Sequence, residues 1–178
     1  MVKRIAIFGA ESTGKSTLAE RLAAHFGEPC AREYVRGFWV ERAGRIEATD
    51  LDAIARGQIA AEEAAAARAR RLVFCDTELL TNVLWADLLF PGQCPAWVRE
   101  AAEERCRRYA LYLLCDTDLP FVPDPQRCFP DPAGRAMCRR LWRDTLVSRG
   151  LPVVEIQGDP AERERRAISV VLALSAGQ

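Results

Sequence analysis

Short apolar runs without polar alternation at residues 5–8, 72–76, 110–116 and 153–156 have the pattern of strands buried on both faces. Cys30 and Ala31 add a very short fifth. Between these runs the apolar positions recur at helical spacing. A helix is predicted from the first loop to Phe26, and another carries Phe38, Trp39 and Val40. Further helices are predicted at 51–70 with Asp50 as N-cap, at 79–90, 95–108, 135–149 and 161–174. Gly27-Glu28-Pro29, Pro91-Gly92, Gly150 and Gly158-Asp159-Pro160 punctuate them. Strand and helix alternate along the whole chain, which predicts an α/β fold: three layers around a parallel sheet of about five strands, with ligand at the strands' C-terminal ends. No linker or repeat divides residues 1–178, so a single domain is predicted.

The first strand leads into Gly-Ala-Glu-Ser-Thr-Gly-Lys-Ser-Thr, residues 9–17. Gly9 and Gly14 bracket four residues, and Lys15-Ser16 follow, at the junction of a strand and a helix. Glycines let successive backbone N–H groups of Gly9, Glu11, Ser12, Thr13, Gly14 and Thr17 line one concavity for anionic oxygens. The following helix N-terminus adds partial positive charge. Lys15 then meets the outer phosphates and the Ser16 hydroxyl ligates Mg²⁺, so ATP and Mg²⁺ are the cofactors the motif calls for. Lys3 and Lys15 are the only lysines among 25 basic residues. A slim ammonium fits between phosphates where a planar guanidinium fits poorly. The fold expectation sharpens to a P-loop NTPase of the nucleoside- and nucleotide-kinase-like kind.

Equal numbers of basic and acidic residues, 25 each, give no global case for nucleic acid or an anionic membrane as partner. No apolar stretch approaches a membrane span. Seven cysteines, with no C-x-x-C pair, and no signal peptide point to the reducing cytoplasm. Cys75 and Cys115, inside apolar runs, are expected as small core residues. A homo-oligomer is left open.

The ends of the other strands choose the chemistry. Asp76 closes the third run, where it is expected to hold Mg²⁺ with Ser16. Glu33 follows the short second strand between Arg32 and Arg36. If it faces the same cleft as Asp76, it is placed to accept the proton of an attacking hydroxyl. Five prolines between residues 119 and 132 mark a loop, and a lid is predicted at 121–135. There Arg127 and Arg135 are expected to reach the phosphoryl groups, the lid being weakly anchored when empty. Gly158 is expected beside the adenine. No Asn-Lys-x-Asp is present to read guanine.

The combination of the 9–17 loop with Arg32-Glu33-Tyr34-Val35-Arg36, Phe74-Cys75-Asp76-Thr77-Glu78 and Pro123-Asp124-Pro125-Gln126-Arg127 resembles the ribosylnicotinamide kinase domain of the bifunctional bacterial NAD-biosynthesis regulator. The resemblance runs from about residue 3 to 165. It implies transfer of the ATP γ-phosphoryl group to the 5′-hydroxyl of a small nucleoside acceptor, nicotinamide riboside. It further implies Lys15, Glu33, Asp76 and Arg127 as catalytic residues and Arg32, Glu33, Tyr34, Arg36, Trp39 and Asp76 at the acceptor. Other members carry a stacking tryptophan where this chain has Arg32. Either Arg32 enters the pocket and favours an anionic acceptor, or it turns away to pair with Glu33 or Glu28. In the second case Trp39, Trp85 or Tyr34 supplies the stack. A kinase of another hydroxyl acceptor, or a regulatory ATPase acting through a partner, are the alternatives.

Replacing Lys15 by Ala is expected to lower phosphoryl transfer by at least ~10²-fold without loss of fold, because charge stabilisation supplies most of the catalysis at such loops. A folded variant with wild-type turnover contradicts the phosphate-loop assignment.

Overall fold

The computed structural model describes residues 2–176. Five parallel strands form one sheet: β1 (Lys3–Phe8), β2 (Cys30–Ala31), β3 (Leu72–Asp76), β4 (Tyr109–Cys115) and β5 (Val153–Ile156). Their order is β2-β3-β1-β4-β5. β1 is central, in register with β3 through Ile5↔Phe74 and Ile7↔Asp76, and with β4 through Ile7↔Leu113. The chain crosses β1 between its two neighbours, so their C-terminal ends open a crevice at the strand-order switch.

Among the described residues, seven α-helices surround the sheet: α1 (Lys15–Phe26), α2 (Tyr34–Glu41), α3 (Leu51–Arg68), α4 (Leu79–Leu89), α5 (Ala96–Arg105), α6 (Pro132–Val147) and α7 (Pro160–Ala176). Successive strand residues point to opposite faces, which divides the core in two. Ile5, Ile7, Phe74, Leu111 and Leu113 meet Leu18 and Leu22 of α1 and Val171 of α7. Ala6, Phe8, Val73, Tyr112 and Leu114 meet the other face, where Leu80 of α4 and Trp142 and Leu146 of α6 are buried. Cys75 and Cys115 lie in these two layers, fully or almost fully buried, as small apolar residues. Among the described residues no helix is long and apolar enough to cross a membrane.

Several boundaries differ from the sequence expectation for identifiable reasons. α6 begins at Pro132 rather than 135, because Asp131 caps the Gly134 N–H at 2.9 Å and proline suits a first helical position. Arg135 therefore belongs to a helix, and the loop ends at residue 131. Asp50 does not cap α3 with its side chain. It accepts from the Glu47 N–H in a capping box around a short 3₁₀ turn, Ala48–Asp50, and pairs with Arg42 at 3.0 Å. α3 stops at Arg68, where the Glu28 carboxylate takes the Arg70 and Arg71 N–H groups at 2.9 and 3.0 Å and turns the chain into β3. The helix expected over 95–108 ends at Arg105, in a 3₁₀ turn, Cys106–Arg108.

Glu78 caps α4 from inside the protein. One carboxyl oxygen accepts the Leu80 N–H at 3.0 Å; the other is buried without a partner, and the residue is 0% exposed. Burial, with the Leu80 bond opposing it and Glu62 reinforcing it, pushes this carboxyl up to about 8. Glu78 thus keeps its proton in the folded protein between the unfolded carboxyl value and about 8. Its contribution to stability is complete below the unfolded value and is lost as pH rises through that window, at up to about 1.4 kcal/mol per pH unit. Glu78→Gln is expected to remove this component, so that urea denaturation of the variant falls less steeply than wild type from pH 5 to 8. Parallel slopes would place Glu78 ionised in the core.

Candidate active site

The phosphate loop is shaped by three residues at positive φ: Gly9 (143°), Ser12 (56°) and Gly14 (77°). A Cβ on Gly9 would lie 2.6 Å from the Cys115 carbonyl oxygen, so β4 itself demands glycine at that position. The Thr13 hydroxyl and the Lys15 ammonium both donate to the Ala10 carbonyl at 2.8 Å. Arg163 in α7, 3% exposed, holds the loop from behind. It donates to the carbonyls of Thr13 (2.9 Å), Gly158 (2.8 Å) and Asp116 (3.1 Å) and pairs with Asp118. The Gly158 N–H is held by Asp118 at 2.7 Å, which fixes the loop after β5 against the loop after β4. The sequence reading missed Arg163, since nothing local distinguishes it from its arginine neighbours on α7.

Lys15, Ser16, Glu33 and Asp76 come together where β1, β2 and β3 end. Asp76 is 3% exposed, and one of its oxygens is buried without a partner. Burial and the Glu33 carboxylate raise it to about 6, against the pull of Lys15, the Ser16 hydroxyl and Arg36. An orphaned carboxylate oxygen beside a hydroxyl is a hard-oxygen pair. It suits Mg²⁺, which takes one or two protein ligands and completes its shell with water and phosphate. Glu33 precedes α2 and pairs with Arg36 at 3.3 Å, and Arg36 extends to Asp124 at 3.8 Å.

Lys15, Glu33 and Arg36 also border a cavity of about 140 Å³ whose walls are mainly apolar. Trp39 from α2, Leu51 and Ile54 from α3, and Trp85 and Leu89 from α4 line it. Arg32 does not. It is 81% exposed and pairs with Glu20 of α1 at 3.0 Å, not with Glu33 or Glu28. Glu28 is already engaged by the two amides that start β3. Tyr34, expected at the acceptor, packs instead on α3: its ring fills the space a Cβ on Gly57 would occupy, 2.2 Å away, and its N–H donates to Gln58 at 3.0 Å. That packing gives Gly57 a purpose inside a helix it would otherwise weaken. Trp39 and Trp85 remain as the aromatic residues of the cavity named from sequence.

The loop from 117 to 131 lies across this site, and it is anchored more firmly than its proline content suggests. Glu11 accepts the Cys128 N–H (2.9 and 3.0 Å) and the Phe129 N–H (2.6 Å). Ser12 accepts the Val122 N–H at 2.8 Å and Arg127 at 3.3 Å. Phe129 stacks on Trp85 at 6.1 Å. Glu11 and Ser12, expected only as part of the phosphate cradle, thus turn their side chains to the lid. Arg127 rests against the phosphate loop. Arg135 points back to the carbonyls of Thr117 (2.6 Å) and Leu119 (2.8 Å) and over the Phe121 ring, supporting the lid from below.

Strand order, with the glycine loop at the exit of the central strand and an aspartate at the exit of its neighbour, makes this a P-loop nucleotide-binding domain of kinase-like architecture. The chain belongs to the AAA domain family, whose model matches residues 4–163. It is 27% identical over 175 residues to the trifunctional NAD biosynthesis/regulator protein NadR of Salmonella typhimurium, covering 96% of this chain and 42% of that protein. With the Escherichia coli protein of the same name it shares 28% identity over 160 residues, covering 88% of this chain and 38% of that one. The chain therefore spans about two fifths of these relatives. Among solved structures, a NadR protein in complex with NR superposes with a TM-score of 0.78 at 23% identity, over 99% of this chain and 52% of that one. Thymidylate kinase from Ehrlichia chaffeensis superposes with a TM-score of 0.66 at 12% identity, covering 96% and 98% of the two chains.

Because Glu11 holds two lid amides, Glu11→Ala is expected to free residues 119–131. Limited proteolysis should then cut the ligand-free variant there about tenfold faster than wild type, the loss of one charge-assisted bond being sufficient for that factor. Equal cleavage rates would show that the remaining anchors, Ser12, Arg135 and the Phe129–Trp85 packing, hold the loop without Glu11.

Proposed function

We propose that the chain is an ATP- and Mg²⁺-dependent kinase that phosphorylates the ribose 5′-hydroxyl of nicotinamide riboside, giving the mononucleotide. The observation that carries this reading is the cavity itself. Two indoles wall a space that opens at Lys15 and Glu33, and the arginine that would repel a pyridinium ring faces solvent beside Glu20. Indole faces attract a cationic ring through their quadrupole. The kinship with NadR, and the NR complex of a structure with the same fold, support the same acceptor.

In this reading the backbone N–H groups of residues 9–17 cradle the phosphates, and Lys15 releases the Ala10 carbonyl to meet the outer phosphates. Ser16 and Asp76 hold Mg²⁺, which supplies charge neutralisation on the phosphates when bound. Glu33 accepts the proton of the acceptor's hydroxyl as it attacks, and Arg36 keeps that carboxylate oriented. Arg127, already against Ser12, stabilises charge on the transferring group. The lid excludes water, which suppresses hydrolysis in place of transfer.

The test is ADP formation with nicotinamide riboside, nicotinic acid riboside, uridine and deoxycytidine, for wild type, Arg32→Trp and Trp85→Ala. Nicotinamide riboside is expected to give the highest kcat/KM. Arg32→Trp should change it by less than about threefold, since an exposed ion pair contributes little. Trp85→Ala should lower it by at least about tenfold through lost stacking. A preference for an ordinary nucleoside by ~10-fold, about 1.4 kcal/mol in transition-state binding, would overturn the acceptor and leave a kinase. Slow ADP formation indifferent to every acceptor would overturn the kinase in favour of a regulatory ATPase.

A further inference from the structure

Buried polar side-chain atoms without a hydrogen-bond partner concentrate where β3 passes into α4. Asp76, Thr77, Glu78, Thr81 and Asn82 each contribute one, within seven residues. Folded proteins rarely leave such groups unmet, and a cluster of them marks a place where something other than protein completes the bonding. Asp76 would be met by a metal in the reading above, and Thr77 and Glu78 do not border the cavity. Thr81 and Asn82 differ, because both line the apolar cavity. Thr81 is 2% exposed, its hydroxyl oxygen has no partner, and the Asn82 amide nitrogen beside it has none either.

Their position along α4 says what they face. Both lie in the first turn and a half after Leu79, at the end of the helix that follows Asp76 directly. Trp85 comes one turn further along and Leu89 two, at about 1.5 Å of rise per residue. Along α4 the cavity wall therefore runs from Thr81 and Asn82 to Trp85 and Leu89, while Lys15 and Glu33 border the same space. A nucleoside acceptor has the same order, with the reacting 5′-hydroxyl first, the sugar's secondary hydroxyls next and the base last. An acceptor lying along α4 in that order would bring its sugar hydroxyls nearest Thr81 and Asn82, and a hydroxyl oxygen is what an amide N–H takes.

Resting on the kinase reading above, we propose that Asn82, assisted by Thr81, determines sugar specificity by donating to a secondary hydroxyl of the acceptor's ribose, so that the protein selects ribosides over deoxyribosides. A buried donor left unmet by the wrong substrate penalises that substrate much more than a missing apolar contact does. Asparagine supplies this without charge, which matters in a cavity that also has to take a cationic ring.

The experiment measures kcat/KM for the riboside that wild type uses best and for its 2′-deoxy and 3′-deoxy forms, in wild type, Asn82→Leu and Thr81→Val. Wild type is expected to prefer the riboside over at least one deoxy form by about tenfold or more, and Asn82→Leu to bring that ratio within about threefold. Thr81→Val should give a smaller fall. KM for ATP and the melting temperature separate this role from a structural one: leucine keeps the branched shape of asparagine, has the cavity to take its extra bulk and removes an unmet donor, so neither should worsen. Equal use of ribo and deoxy acceptors by wild type, or an equal fall for both in Asn82→Leu, overturns the assignment while the kinase stands. If uridine proves the preferred riboside, the nicotinamide reading fails and the sugar comparison still decides this one. If no riboside is phosphorylated, both fail.

Discussion

A single buried guanidinium ties together the three chain segments that form the nucleotide end of the site. Arg163 reaches the phosphate loop at Thr13, the exit of β4 at Asp116 and Asp118, and the exit of β5 at Gly158. A charge this deeply buried is tolerated only when its donors are matched by acceptors, and here carbonyls and one carboxylate meet them. The five donors of arginine form a rigid planar fork, so the partners' relative positions are fixed along with the charge. The curl of residues 9–17 is thus set from two sides. Gly9 is pressed against the Cys115 carbonyl in front, and Arg163 pulls on the Thr13 carbonyl behind.

The end of the site where Asp76 and Glu33 stand works on a different principle. Asp76 and Glu33 are like charges sharing a poorly hydrated corner, and Lys15, Ser16 and Arg36 offset them only in part. That imbalance leaves the corner suited to a divalent cation, which would offset both carboxylates. The lid connects the two ends. Glu11 and Ser12, phosphate-loop residues, grip its backbone, while Phe129 lies on Trp85 in the cavity wall.

The phosphate loop, the five strands and the aspartate closing β3 were legible in the chain because each rests on local pattern: spacing of glycines, unbroken apolar runs, a residue type at a run's end. Which of Trp39, Trp85 and Tyr34 borders the cavity was not legible, and packing decided it. The start of α6 shifted because Asp131 caps it, and Asp50, at the expected N-cap position of α3, turns its side chain to the Glu47 N–H instead. Arg32 and Tyr34 flank Glu33 and follow the same motif, yet one pairs across to α1 and the other packs on Gly57 of α3. Side-chain direction at a helix start depends on which neighbours stand there, and those neighbours come from elsewhere in the chain.

By itself, the sequence determined the order of strands and helices, the phosphate-binding loop and the residues closing the strands, since these follow from periodicity, backbone freedom and charge over short stretches. Tertiary structure alone decided the rest. Glu11 meets Cys128 across 117 residues, and Arg163 meets Thr13 across 150. The Asn82 amide nitrogen is buried without a partner in a residue that borders the cavity walled by α2, α3 and α4. Such facts depend on distances between elements, which are fixed when apolar faces close on the sheet and not by any stretch of residues read in order.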